Sequence, residues 1–124
     1  MDSGVPLTDI VFKKGSGTNT AILKNSSCEA TANLAVAFGY YCRAKGSSSH
    51  AEGSTTLAQG GDSHAEGYNT QATADRSHSE GNSSKAQGAD SHAEGNNTIA
   101  SGKFSHAECQ EAQATGDASH AEGY

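Results

Sequence analysis

The 124-residue chain has no tryptophan, one proline, one methionine, three phenylalanines and four tyrosines. From Ser47 to Tyr124 its large apolar residues, two tyrosines aside, are Leu57, Ile99 and Phe104. That shortage excludes an interior of packed Leu, Ile and Val. Whatever is buried there must be Ala, Ser, Thr and Gly. A coiled coil is excluded as well, because no apolar a/d seam exists and each glycine inside a helix costs about 1 kcal/mol relative to alanine. Basic residues are scarce: eight Lys and Arg face fourteen Asp and Glu, for a formal net charge of −6. With no basic stripe, nucleic acid is not an expected partner. No apolar run is long enough to span a bilayer, and no basic, then apolar, leader follows Met1. Membrane insertion is therefore not expected. The calcium-binding GGxGxDx solenoid pattern is missing too.

What the chain does contain is a word written six times. His50, His64, His78, His92, His106 and His120 are all the histidines, each 14 residues after the last. A serine precedes each one, from Ser49 to Ser119, and a glutamate follows two residues later: Glu52, Glu66, Glu80, Glu94, Glu108 and Glu122. A second column holds Ala58, Ala72, Ala86, Ala100 and Ala114, followed two residues on by Gly60, Ala74, Gly88, Gly102 and Gly116. The unit reads S-H-A-E-G-x-x-T-x-A-x-G-x-x.

Within each half-unit the residues alternate, Ser-His-Ala-Glu and then Thr-x-Ala-x, which is the period of a strand. Glycine closes each half, as a turn with positive φ requires. Two short strands and two turns per 14 residues predict an all-β chain, a parallel β-roll whose coils stack ~4.8 Å apart. Ala51 and its equivalents then point inward, while His50 and Glu52 share the opposite face. So thin a roll buries little apolar area against a backbone ordering cost of roughly 1–2 kcal/mol per residue. A single chain is expected to need partners. The constant His-x-Glu face suggests where they go, since the water-facing column Gly61, Asp75, Ala89, Lys103, Asp117 drifts freely. Burial of that face around a symmetry axis is expected, most simply in a homotrimer of this chain with two further copies.

The stretch ANLAVAFGYYCRAKGSSSHAEG, Ala32 to Gly53, resembles the head repeats of trimeric autotransporter adhesins, whose motif is Asn-Ser-Val-Ala-Ile-Gly. Val36 and Phe38 stand one period before His50 and Glu52. The SHAEG form is more similar to repeats of phage tail appendage and fibre proteins that carry a self-cleaving chaperone domain further along. The resemblance covers about residues 20–124. It implies a left-handed roll and a trimer, intertwined or side by side. It further implies that Val36 and Phe38 form an apolar rung on the trimer axis. This chain departs from the adhesin pattern by carrying His and Glu in those columns.

Residues 1–20 lack the period and are expected to form an N-terminal cap or connecting segment. Residues 21–124 are then the roll, with Ile22, Leu23 and Leu34 covering the first coils. The repeat stops in mid-unit at Tyr124, which suggests a piece of a longer fibre, because solenoids need caps. Cys28 and Cys42 share the column of Thr56 and Thr70, close enough for a disulfide, although a small buried residue is the simpler reading. Cys109 occupies a glycine position and has no evident pair.

The repetition itself argues against catalysis, which needs one site and not six. Ser49 and His50, adjacent on a strand, point to opposite faces and cannot form a nucleophile–base pair. No enzymatic activity and no cofactor are expected. The alternative is a metal ion on the trimer axis, held by His and Glu. A His–Glu network between chains is the expected use of the ladder, with stability greatest at mildly acidic to neutral pH. The function expected is a structural shaft or head of a phage tail appendage, in the virion, holding out an element that recognises a host receptor through a neighbouring region. The alternative is a bacterial cell-surface adhesin head that binds a matrix protein or glycan.

Overall fold

The computed structural model describes residues 12–23 and 27–123. Among them there is no helix: parallel strands stack into a β-solenoid of about seven turns with about 14 residues per turn. Each coil contributes one longer and one shorter strand. The longer ones, among them Val36–Tyr40, His50–Ser54, His64–Tyr68, His78–Asn82 and His92–Asn96, lie side by side in a nine-stranded sheet. The two-residue strands, such as Leu57–Ala58 and Lys85–Ala86, form a seven-stranded sheet. Pairing is in register with the sequence period: His78 lies opposite His92, Glu80 opposite Glu94 and Ala86 opposite Ala100. Turns join the coils as well, through bonds such as Thr55 N to Tyr40 O at 2.7 Å and Asp62 N to Ser47 O at 2.8 Å.

The interior is as small as the composition demands. Ala37, Ala51, Ala65, Ala93 and Ala107 from the wide sheet meet Ala44, Ala58, Ala72, Ala86 and Ala100 from the narrow one, all fully buried. Thr56, Thr70 and Thr98 complete the interior, together with the serine column. Ser63, Ser77 and Ser105 each donate a hydrogen bond from Oγ to the backbone carbonyl three residues earlier, at 2.7, 2.6 and 2.6 Å. These three serines thus close the turn before their histidines, whereas the buried Oγ atoms of Ser49, Ser91 and Ser119 have no hydrogen-bond partner among the described residues. Cys28 and Cys42 are buried thiols in the threonine column. Their Sγ atoms lie 3.3 Å from Gly39 O and 3.2 Å from Gly53 O, and burial pushes the Cys42 thiol up.

The turns differ from the sequence expectation. Glycine meets a positive φ at only one of the two turns: Gly53, Gly67, Gly81 and Gly95 have φ between 102° and 111°. A Cβ at Gly81 would collide with the carbonyl of Gly95 in the next coil. In the second turn the glycine column has ordinary φ, and Ala74 stands in it. The left-handed conformation there falls two residues later, on Ser48, Asp62, Arg76, Asp90, Phe104 and Ala118, with φ of 55–57°. Where Cys109 replaces the positive-φ glycine, φ drops to 80° and the strand shortens to His106–Glu108, leaving one bridge, Asn96 to Gln110.

The N-terminal end also departs from the simple period. Ala21 pairs with Val36, 15 residues on, where every later coil repeats after 14. Strand Phe12–Lys13 runs antiparallel to Ala21–Leu23 and begins the wide sheet. Stacking already includes Gly17, whose N–H donates to Ala30 O at 3.1 Å. Ile22 is buried as expected, whereas Leu34 is 51% exposed. Leu34 sits at a left-handed turn position, φ 62°, one period before Ser48, where side chains project outward. The side chain of Leu23 and residues 1–11, which hold most of the expected cap, lie outside the described residues.

Candidate functional site

The wide sheet positions the repeated His and Glu. Because the strands pair in register, all six imidazoles fall in one column on the outer face, and the side chains of His50 to His106 are each 33–39% exposed. Successive rings stack with centroids 4.7–5.0 Å apart and planes within 8° of parallel. That spacing is the strand spacing of a sheet. The Glu column runs beside it.

Pairing between the columns is diagonal and lies within one chain. His64 Nε2 is 3.4 Å from Glu52, His92 3.3 Å from Glu80, His106 3.1 Å from Glu94 and His120 3.0 Å from Glu108. His78 approaches Glu66 less closely, at 3.5 Å. The glutamate of the same rung is more distant, at 3.9 Å for His50, His64, His78 and His106. A neutral imidazole donates its Nε2–H to the carboxylate one rung earlier. The expected His–Glu network is thus already present inside a single chain, where the sequence reading placed it between chains. Diagonal neighbours on adjacent strands lie within reach of long side chains, and the two-residue His-to-Glu offset selects the diagonal.

The first rung is the exception. Phe38 occupies the position that a preceding glutamate would hold, and its ring lies 5.2 Å from that of His50. His50 Nε2 has no hydrogen-bond partner among the described residues, and His78 Nε2, 3.5 Å from Glu66, has none either.

Crowding sets the protonation of the ladder. His50 and His78 are held below the ordinary histidine value, first by burial and then by neighbouring imidazoles that would be like charges. The carboxylates split. Glu66 is lowered, chiefly by hydrogen bonding with Glu80, and Glu94 by hydrogen bonding with His106. Glu80 is raised by desolvation and then by Glu66 and Glu94 on either side. Like charges a strand apart cannot all ionise independently.

Each inward serine is separated from its histidine by the sheet. Ser63 Oγ is bound to Gly60 O while His64 faces outward to Glu52. The arrangement supplies no nucleophile–base pair within a coil.

Several features escaped the sequence reading. Arg76 forms a two-point ion pair with Asp90 in the next coil, at 2.7 and 3.1 Å. Asp75 and Asp117 accept the backbone N–H of Gly61 and Lys103, each at 2.9 Å and each 14 residues away. The signal was the recurrence of Asp near the second turn. The column of Arg43, Leu57, Gln71, Lys85 and Ile99 is half-buried, since stacked side chains shield one another, and its last member, Gln113, is exposed. Tyr40, Tyr41, Tyr68 and Phe104 are exposed, with Tyr40 and Tyr41 edge to face at 4.6 Å.

No known family pattern matches the chain, and no curated protein is similar to it.

Proposed function

We propose that the chain is a structural segment of a trimeric fibre, the shaft or head of a phage tail appendage in the virion that holds out a host-recognition element. The observation that carries this reading is a rigid roll with an almost purely Ala, Ser and Thr interior and one uniform His–Glu face along the wide sheet. Coil-to-coil hydrogen bonds stiffen it lengthwise, as a spacer requires. An interior of methyl and hydroxyl groups supplies little hydrophobic stabilisation per coil. Packing three His–Glu faces around an axis, with Val36 and Phe38 as an apolar rung at one end and the left-handed winding implied by the resemblance, adds the missing burial. Its working partners are then two further copies of itself, and receptor contact falls to a neighbouring region.

Folding and association should be one event. Sedimentation equilibrium is expected to return three times the chain mass, with a melting temperature that rises with protein concentration. A folded monomer at micromolar concentration would falsify the proposal.

The second reading, a bacterial surface adhesin head, is favoured by one observation, the exposed edge-to-face pair Tyr40 and Tyr41, with exposed Tyr68 two coils further along the column of Tyr40. Aromatic rings exposed in a group suit contact with a matrix protein or glycan. Binding to an array of immobilised matrix proteins and glycans that is lost when all three become serine supports the adhesin. No binding leaves the spacer.

A further inference from the structure

We propose that the His–Glu ladder is a linear array of sites for divalent first-row cations of the zinc type, filled at alternate rungs with three ions per chain. The ladder presents five overlapping sets, each with a glutamate and the histidines of its own and the next rung: His50–Glu52–His64, His64–Glu66–His78, His78–Glu80–His92, His92–Glu94–His106 and His106–Glu108–His120. In every set the three ligand atoms lie within 4.8 Å of one another.

Imidazole nitrogen with carboxylate oxygen is the donor set that borderline first-row ions prefer. Ligands ~2.1 Å from one zinc ion lie about 3.0–3.4 Å from each other. The Nε2–Oε1 pairs of His64, His92, His106 and His120, at 3.0–3.4 Å, already meet that separation. The stacked rings, 4.7–5.0 Å apart, must tilt together to complete a set. The His64 and His92 side chains are a third exposed, while Nε2 of His50 and of His78 is buried, so the rings must turn to offer their nitrogens to an ion. His50 Nε2, without a hydrogen-bond partner, gives up nothing on binding. A cation between rungs also relieves the repulsion among carboxylates stacked one strand apart.

Stoichiometry follows from sharing. Each of His64, His78, His92 and His106 belongs to two sets, so an ion that takes both histidines of one set removes them from its neighbours. Six histidines then hold three ions, on the sets of Glu52, Glu80 and Glu108. The sets of Glu66 and Glu94 stay empty. Water completes each shell in a single chain, and an ion does not need the trimer to reach the outer face.

The test uses the full chain without an affinity tag, stripped with chelator, desalted and titrated with zinc chloride. Native mass spectrometry counts ions and chains together, and titration calorimetry gives the affinity. The expected result is three zinc ions per chain. Glu80→Gln, which keeps the side chain's shape, should hold two, and Glu66→Gln should still hold three. No retained zinc at micromolar concentration overturns the proposal, as does a count that Glu80→Gln leaves unchanged or that Glu66→Gln lowers. The chain count is independent: three ions on a lone chain sink the trimer and keep the sites, while a zinc-free trimer does the reverse.

Discussion

Two sets of columns run the length of the roll, and their uniformity has different causes. The inner one, Ala51, Ala65, Ala93 and Ala107 with Ser79 in their midst, is fully buried between two sheets. Volume alone dictates it: the gap admits a methyl or a hydroxymethyl group and nothing larger. The outer one, His and Glu, is a third exposed and has room for other side chains. Val36 and Phe38 occupy the same two columns one coil earlier, and the backbone pairing there is no different. Packing inside one coil therefore explains the alanines but not the histidines. What repeats the histidines must lie outside the coil, in the diagonal Glu contacts, in neighbouring copies of the chain or in bound ions.

The largest test of this contrast is to overfill the inner column. Ala93→Leu places three extra carbons where no space exists, and overpacking of this kind should cost about 3 kcal/mol or more. Loss of cooperative unfolding by circular dichroism is the expected outcome. A stable, folded Ala93→Leu would mean that the sheets can part and the volume argument is wrong.

The outer column should be more forgiving. His78→Ala removes the imidazole 3.5 Å from Glu66, while Glu80 keeps His92 at 3.3 Å, and should cost about 1 kcal/mol. The double change His78→Val with Glu80→Ile makes an apolar rung, as Val36 and Phe38 do one coil before the ladder begins. Apolar residues of similar size often replace an ion pair without loss, so its melting temperature should match or exceed the parent's. If the double variant is as damaged as the single one, the His–Glu rung is specific and not interchangeable with an apolar rung.

Acidification perturbs the same column more gently. His50 and His78 have lowered folded-state values, so the stability they contribute is complete above the ordinary value of 6.5 and falls as pH drops below it. Glu66 and Glu94, also lowered, add a second loss below 4.5. Glu80, raised, acts in the opposite sense, its share being lost as pH rises through its folded value. With chelator present, melting temperature should be highest near neutral pH and decline from about pH 6 downward, so the mildly acidic half of the expected optimum gives way. A profile flat from pH 4 to 8 would mean that the ladder is uncoupled from folding. The smallest effect is Arg76→Ala: its ion pair with Asp90 lies at the surface, and no measurable change in melting temperature should follow.

Much of this molecule was legible as text. A 14-residue period with two alternating half-units leaves a parallel stack as the one arrangement that buries small residues and exposes large ones. In-register stacking then converts each sequence column into a spatial one, which is why the period alone places Ala51, Thr56 and Ser49 inside, and His50 and Glu52 together outside. Other features needed the third dimension. Whether a glutamate meets its own histidine or the next depends on strand stagger and side-chain rotamer, and neither is written in the period. The left-handed turns at Asp62, Arg76 and Phe104 do not use glycine, so composition concealed them. Leu34 looked like a cover for the first coils because it is apolar, yet its turn position points it into solvent. The additional residue between Ala21 and Val36 became visible only through their pairing. Sequence alone determined what is repeated and on which side it lies, because period and volume are local properties. Tertiary structure decided which neighbours touch, because contact distances depend on how one coil sits on the next.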